Sequence, residues 1–404
     1  MMKPSEREQY STGNRRSLFM AATVGLLGAM AAGSSGAQEY KLGVSAAITG
    51  PVASTYAPTY EGLKIYIDRL NERGGVNGRL VQIVYLNNQG APPHAVADSK
   101  RLVEEEKAIG LINISTSATY APMVADAKRS KTPLIFLGSA VCPPEVYPPK
   151  PEPYLFCSSF NMVGEDGKAI VHFFKELSGG TTAKLGLLAM DIPISRQGVD
   201  QMEKLARESG FQIAGNISVP ATTADFTPYA TRFKDAGATW IAHWAPFNFG
   251  VALFGSLNRL GWTGNYLATA SPTAEGDTIK FAQENFYVMP SYTFAAEGLP
   301  VFKEMEDAAK KYGATYSVDS LSLGWVGGMI LEDALKRCGW PCNAEKFRSS
   351  LEGVRVDTQG IYGGPVDWSP ENHVRSAAYY KVYRWDPAQK RVVKVKDWLR
   401  IPIQ

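Results

Sequence analysis

The chain has 404 residues, enough for two cores, since a single core stops growing at roughly 250–300 residues. Its 45% hydrophobic and 20% charged content is that of an ordinary globular chain, which excludes fibrous and disordered classes. The formal net charge of +3 is small, and no dense basic run follows the N-terminus, so nucleic acid is not expected as a partner.

The first element in chain order is an export signal. Asn14-Arg15-Arg16-Ser17-Leu18-Phe19-Met20 opens an uncharged run from Leu18 to Gln38, rich in Ala, Gly, Leu and Met. With the small-residue exit Ser35-Gly36-Ala37, this predicts a signal over residues 1–37, cut after Ala37. The run approaches the roughly 18–20 residues of a membrane span, but its second half is Gly and Ser rather than Leu and Ile. The paired arginines suit a twin-arginine route, and a general secretory route accepts them too.

From Tyr40 onward, strand-like and helix-like segments alternate. Tyr40 to Ile48 reads as a buried strand ended by Gly50-Pro51, and Leu63, Tyr66, Ile67 and Leu70 recur at helical spacing before Gly74-Gly75. Leu80–Leu86, Ile109–Ile114 and Pro133–Leu137 read as strands, and Pro92–Lys107 and Ala121–Lys131 as helices. The pattern starts over with strands at Ala183–Met190, Phe211–Val219, Thr239–Trp244 and Tyr266–Ala270. Gly198–Glu208, Asp225–Asp235 and Phe249–Leu260 are the helices between them. Two such α/β halves predict two doubly wound lobes, each with a mostly parallel sheet. After Pro290 come helices at Val301–Tyr312, Asp319–Arg337 and Ala344–Leu351, then a terminal hairpin of Tyr379–Trp385 and Arg391–Lys396.

Between the halves, Cys142 to Cys157 contains six prolines and is expected to be neither regular helix nor sheet. Four cysteines in an exported chain favour disulfides over free thiols. Three connectivities are possible, and Cys142 with Cys157 and Cys338 with Cys342 asks least of the fold. Cys338-Gly-Trp-Pro-Cys342 has three intervening residues where thioredoxin-like redox motifs have two. None of the four histidines, His94, His172, His243 and His373, stands beside a cysteine, so zinc is not expected either.

Known enzyme signatures are missing: no nucleophile elbow, no P-loop, no zincin motif and no dinucleotide fingerprint after a strand. What remains are strand ends rich in small hydroxylic residues. In doubly wound sheets ligands bind beyond the carboxyl ends of strands, near helix N-termini. Ser115-Thr116-Ser117-Ala118-Thr119 follows one strand and precedes a helix, and Gly138-Ser139-Ala140 follows the next. N–H groups at such a helix start suit a carboxylate, although Ser and Thr also cap helices that bind nothing.

Tyr40-Lys41-Leu42-Gly43-Val44, Ile48-Thr49-Gly50-Pro51 and Asn71-Glu72-Arg73-Gly74-Gly75-Val76-Asn77-Gly78-Arg79 closely resemble the periplasmic leucine/isoleucine/valine-binding proteins. Thr132-Pro133-Leu134-Ile135, Asp225-Phe226-Thr227-Pro228 and Gly364-Pro365-Val366-Asp367-Trp368 extend the likeness over essentially the whole mature chain. The resemblance implies a type I periplasmic binding protein fold with three crossovers, residues 38–159 with 290–364 forming one lobe and 160–289 with 365–404 the other. It implies a binder rather than an enzyme, without cofactor, that passes a small carboxylate or amino acid to the membrane permease of an ABC importer. A ligand-sensing receptor module is the alternative.

Carried across by position, the likeness places Ser117, Ala118, Thr119, Ser139 and Ala140 at the carboxylate, with Val141 beside them. It places Tyr56 in the loop after the first strand, and Trp244 and Phe247 on the second lobe, opposite Asp191–Arg196. Where amino-acid binders of this family carry an acid for the ligand's ammonium, the chain reads Leu267-Ala268-Thr269-Ala270-Ser271-Pro272, with no acid before Glu275. An unpaired buried ammonium is costly, so an aromatic or other apolar acid is expected ahead of a hydrophobic amino acid. A displaced Asp191 or Glu275 would reverse that order.

Overall fold

The computed structural model describes residues 39–138, 141–158, 163–269 and 274–403. The first lobe opens with β1 (Tyr40–Ala46), α1 (Ala53–Glu72), β2 (Val81–Asn87), α2 (Pro92–Glu104), β3 (Gly110–Ile114), α3 (Tyr120–Ser130), β4 (Leu134–Leu137) and β5 (Leu155–Ser158). Its strands form one parallel sheet in the order β2-β1-β3-β4-β5. Helices cover both faces, so β3, β4 and β5 are buried at every residue and read in sequence as short apolar runs.

The second sheet begins with α4 (Val163–Leu177), β6 (Lys184–Met190), α5 (Pro193–Glu208), β7 (Gln212–Val219) and α6 (Thr227–Asp235). β8 (Trp240–Trp244), α7 (Phe247–Arg259), β9 (Asn265–Thr269), α8 (Ala274–Phe281) and β10 (Phe286–Met289) follow. The chain then returns to the first lobe with α9 (Pro300–Tyr312), α10 (Val318–Cys338), α11 (Ala344–Leu351) and a small antiparallel pair, β11 (Arg355–Val356) and β12 (Val366–Asp367). It crosses back to end in β13 (Ala377–Asp386) and β14 (Arg391–Pro402). The second sheet runs β14-β13-β10-β9-β8-β6-β7, with β13 and β14 antiparallel additions at one edge. This is the doubly wound, two-lobed architecture expected, with three crossovers.

Several segments differ from the sequence expectation. β5 occupies the end of the proline-rich stretch, because the last proline is Pro153 and Leu155–Ser158 keep the N–H groups that a strand needs. α4, α8 and β10 were not anticipated. α1 begins at Ala53, so Tyr56 lies on a helix and not in a loop after β1.

α1 packs along α10 with almost no gap between backbones. A Cβ on Gly62 would stand 2.1 Å from the Leu321 carbonyl oxygen, and one on Gly324 would stand 1.9 Å from that of Thr59. Only glycine fits there. Disulfides join Cys142 to Cys157 and Cys338 to Cys342, the sequence-local pairing. In the last crossover Arg375 is 3% exposed. It lies over the rings of Tyr362 and Tyr379 and donates to the carbonyls of Gly364, at 3.1 Å, and Pro365, at 3.3 Å. Burial holds its pKa below the ordinary arginine value.

Candidate functional site

A buried polar net ties the strand ends of the first lobe. The Ser45 hydroxyl donates to Asp98 at 2.6 Å, Asn88 Nδ2 donates to Ser45 at 2.9 Å, and the Ser115 hydroxyl donates to Asn88 Oδ1 at 2.9 Å. Burial raises the Asp98 pKa, and the Ser45 bond opposes that. Ser115 is thus spent inside the lobe, and the chain beyond it is what reaches solvent.

Ser117–Thr119 form a single 3-10 turn that runs directly into α3. The Thr119 hydroxyl donates to the Thr116 carbonyl at 2.7 Å and accepts from Asn113 Nδ2 at 3.0 Å. Its hydrogen is used within the turn. Ser117 and Ala118 are exposed, and their N–H groups head the turn, where no intrahelical acceptor exists. What the turn offers an anion is therefore the Ser117 hydroxyl and two main-chain donors. The Thr116 hydroxyl is buried without a hydrogen-bond partner, and so is that of Thr59, which packs against Gly138 at the end of β4. Ser139, Ala140 and Ala270 lie outside the described residues.

Tyr56 is buried on α1, and burial together with Tyr120 drives its hydroxyl pKa far above the ordinary value. Tyr120 stacks obliquely on Phe136 and donates to the Val141 carbonyl at 2.8 Å, fixing the chain after β4. Sequence reasoning passed over Tyr147. It is half-buried in the disulfide-closed segment against the core that includes Tyr120 and Tyr380, and burial, Glu165 and Asp166 raise its pKa. Its only sequence signal was an aromatic residue set among prolines.

In the second lobe Trp244 ends β8, and its Nε1 donates to Asp166 at 3.1 Å, while Tyr380 donates to the other oxygen of Asp166 at 2.7 Å. Ser195 donates to the Trp244 carbonyl, and Gly198 packs beneath the indole. Phe247 opens α7 and turns to the other face of the sheet, toward His243 and Phe286. Both rings are buried, at 9% and 7% exposure, so they form the wall behind the strand ends rather than projecting from it.

Neither acid named as a displaced ammonium partner is free. Asp191 pairs with Arg196 at the mouth of a groove of about 930 Å³ that follows α5 to Lys204. Glu275 accepts the N–H groups of Ala295 at 2.7 Å and Ala296 at 2.8 Å. Glu165, on the first turn of α4, lies 3.6 Å from Lys168. No group of three or more His, Cys, Asp or Glu gathers to hold a metal among the described residues. No helix among them is long and apolar enough to cross a membrane.

Residues 39–390 match the family model described as Periplasmic binding protein. Leu/Ile/Val-binding protein homolog 7 of Brucella suis biovar 1 (strain 1330) is 23% identical over 359 residues, covering 83% of this chain and 86% of that protein. Among solved structures, the branched chain amino acid ABC transporter from Thermus thermophilus with bound valine superposes with a TM-score of 0.76 at 20% identity, covering 90% of this chain and 96% of the other. The fatty acid ABC transporter substrate-binding protein from Thermomonospora curvata gives 0.70 at 17% identity, over 90% and 92% of the two chains. LivJ from Streptococcus pneumoniae in complex with isoleucine gives 0.72 at 18%, over 90% and 100%. The chain is thus a solute binder and not an enzyme, and it belongs to the periplasmic binding protein family.

Proposed function

We propose that this protein is exported, captures a small carboxylate between its lobes by hinge closure, and delivers it to the permease of an ABC importer. The moving bodies are the lobe of β1 to β5 with α9 to α11, β11 and β12, and the lobe of β6 to β10 with β13 and β14. The observation that carries the reading is the open turn at Ser117–Ala118, a hydroxyl and two main-chain donors at the start of α3. Closure would bring the second lobe over that turn and exclude water from the carboxylate's hydrogen bonds. The relatives are described as transporter components, which favours an importer over a sensor.

The ligand's other end is apolar and carries no ammonium. Asp191 and Glu275 are committed elsewhere, and the undescribed residues Ser159–Met162 and Ala270–Thr273 include no acid. The fatty-acid binder is a precedent for an apolar acid on this fold. A hydrophobic amino acid is the second reading, favoured by the valine and isoleucine complexes.

Thermal-shift and calorimetric titration with benzoate, phenylacetate, octanoate, leucine and valine tests this. Binding of an ammonium-free acid is expected, with stabilisation of about 2.7 kcal/mol at a ligand concentration about 100 times Kd. Ser117→Ala should weaken binding by about 1.5–3 kcal/mol, the worth of a hydrogen bond to a charged group. Binding confined to leucine and valine selects the second reading, and unchanged affinity in Ser117→Ala removes the carboxylate site.

A further inference from the structure

The two disulfides sit in unlike surroundings. Cys142 and Cys157 are 7% and 0% exposed and lie within the core, 15 residues apart. Cys338 and Cys342 are half-buried and only 4 residues apart, so their bond constrains the unfolded chain less. Cys338, the last residue of α10, lines an open groove of about 440 Å³ together with Arg337, Glu345, Lys346 and Ser349. The groove gives a dissolved thiol a path to this pair, and burial denies it one to the other.

The groove also suits the chemistry of sulfur. Cys342 immediately precedes Asn343, the N-cap of α11, whose side chain accepts the Lys346 N–H at 2.9 Å. The Lys346 ammonium turns back to the Pro341 carbonyl at 3.1 Å. A helix N-terminus and a nearby ammonium both favour a thiolate, so Cys342 is the sulfur better suited to leave. Glu345 is paired with Arg348 at 3.0 Å and Arg337 with Asp333 at 2.7 Å, which leaves Lys346 as the uncompensated charge of the groove.

The loop between the cysteines is held by more than its disulfide. The Trp340 ring meets Tyr40 edge-on at 5.3 Å, and the Arg79 guanidinium lies 4.6 Å from its centre. The Tyr40 hydroxyl donates to the Gly339 carbonyl at 3.0 Å. These contacts do not depend on the S–S bond, so the first lobe keeps its fold when the bond opens. Tyr40 begins β1, at the opposite end of the sheet from the turn at Ser117, which separates this place from the ligand cleft.

We propose that Cys338–Cys342 is a reversible exchange site for small thiols, which opens while Cys142–Cys157 stays closed. An incoming thiolate bonds to the Cys338 sulfur as the Cys338–Cys342 bond breaks, and the electron pair leaves on Cys342. A second thiol attacks the outer sulfur of the mixed disulfide and releases Cys338. Two small thiols are thereby oxidised to one disulfide, and the protein pair takes up two electrons and two protons.

Incubating the native protein with reduced glutathione, quenching with acid, alkylating and mapping peptides by mass spectrometry tests this. Cys338–Cys342 should open at least about tenfold faster than Cys142–Cys157, with the circular dichroism spectrum unchanged. Oxidised glutathione should close it again. Lys346→Glu, which replaces the groove's cation by an anion, should slow opening several-fold. Both pairs opening together, opening only as the protein unfolds, or failure to reclose overturns the proposal. Equal opening rates in Lys346→Glu and the wild type overturn the groove and Cys342 as the route and the leaving sulfur.

Discussion

Acidifying the protein from about pH 7.5 to about pH 5 should cost the second lobe about 2 kcal/mol through one side chain, His243. His243 is fully buried in β8, with its ring under Gly250 and its Nδ1 3.1 Å from the Tyr266 hydroxyl. The phenol, whose pKa is driven far up by burial, shares a hydrogen bond with Nδ1, and Nε2 has no partner. No acid compensates a charge there, and burial lowers the pKa from 6.5 to about 3. The unfolded chain therefore takes up a proton below about 6.5 that the folded chain refuses until about 3. Stability falls through that window as pH falls and levels off below it. At about pH 5 the unfolded state is favoured by roughly 1.5 pH units at 1.36 kcal/mol each. Urea unfolding of the wild type and of His243→Leu at both pH values measures the difference, since the variant keeps every other titrating group. If both proteins lose the same stability between the two pH values, His243 is not the buried neutral base described here.

Gly62→Ala and Gly324→Ala should each cost about 3 kcal/mol or more and lower soluble yield, because the added carbon meets backbone and not a movable side chain. Gly276→Ala, with nothing within 4 Å of the new carbon, is the control, and thermal melting reads all three. Replacing Cys142 and Cys157 by Ala should lower unfolding free energy by about 3 kcal/mol for a separation of 15 residues. The same change at Cys338 and Cys342, 4 residues apart, should cost about 2 kcal/mol, and urea midpoints separate the two. Glu297→Ala should cost about 3–5 kcal/mol, since it strands Lys381, which is 4% exposed beneath the Trp398 ring. The double variant Glu297→Ala with Lys381→Met should recover part of that loss in the same melts.

The two α/β halves were legible because buried parallel strands and amphipathic helices impose different apolar periods, and β1, β3, β4 and β6 to β9 appear within a residue or two of expectation. The short β5 and β10 and the glycine-interrupted α4 and α8 carry weak local signals and exist because neighbouring strands and the hinge hold them. The cysteine pairing was the nearest available in sequence, and the fold adopted it.

At the site, sequence alone located Ser115 to Thr119 at a strand end, because hydroxylic residues between an apolar run and a helix start mark that position. It could not tell which hydroxyls were free. Ser115 and Thr119 carry the same functional group as Ser117, yet the first is spent on Asn88 and the second on Thr116. Nor could it foresee that Trp244 is held by Asp166 from 78 residues away. Local sequence fixes which groups are present and which secondary structure carries them. Hydrogen-bond partners, burial and charge proximity are properties of distant segments brought together, and only the tertiary structure decides them.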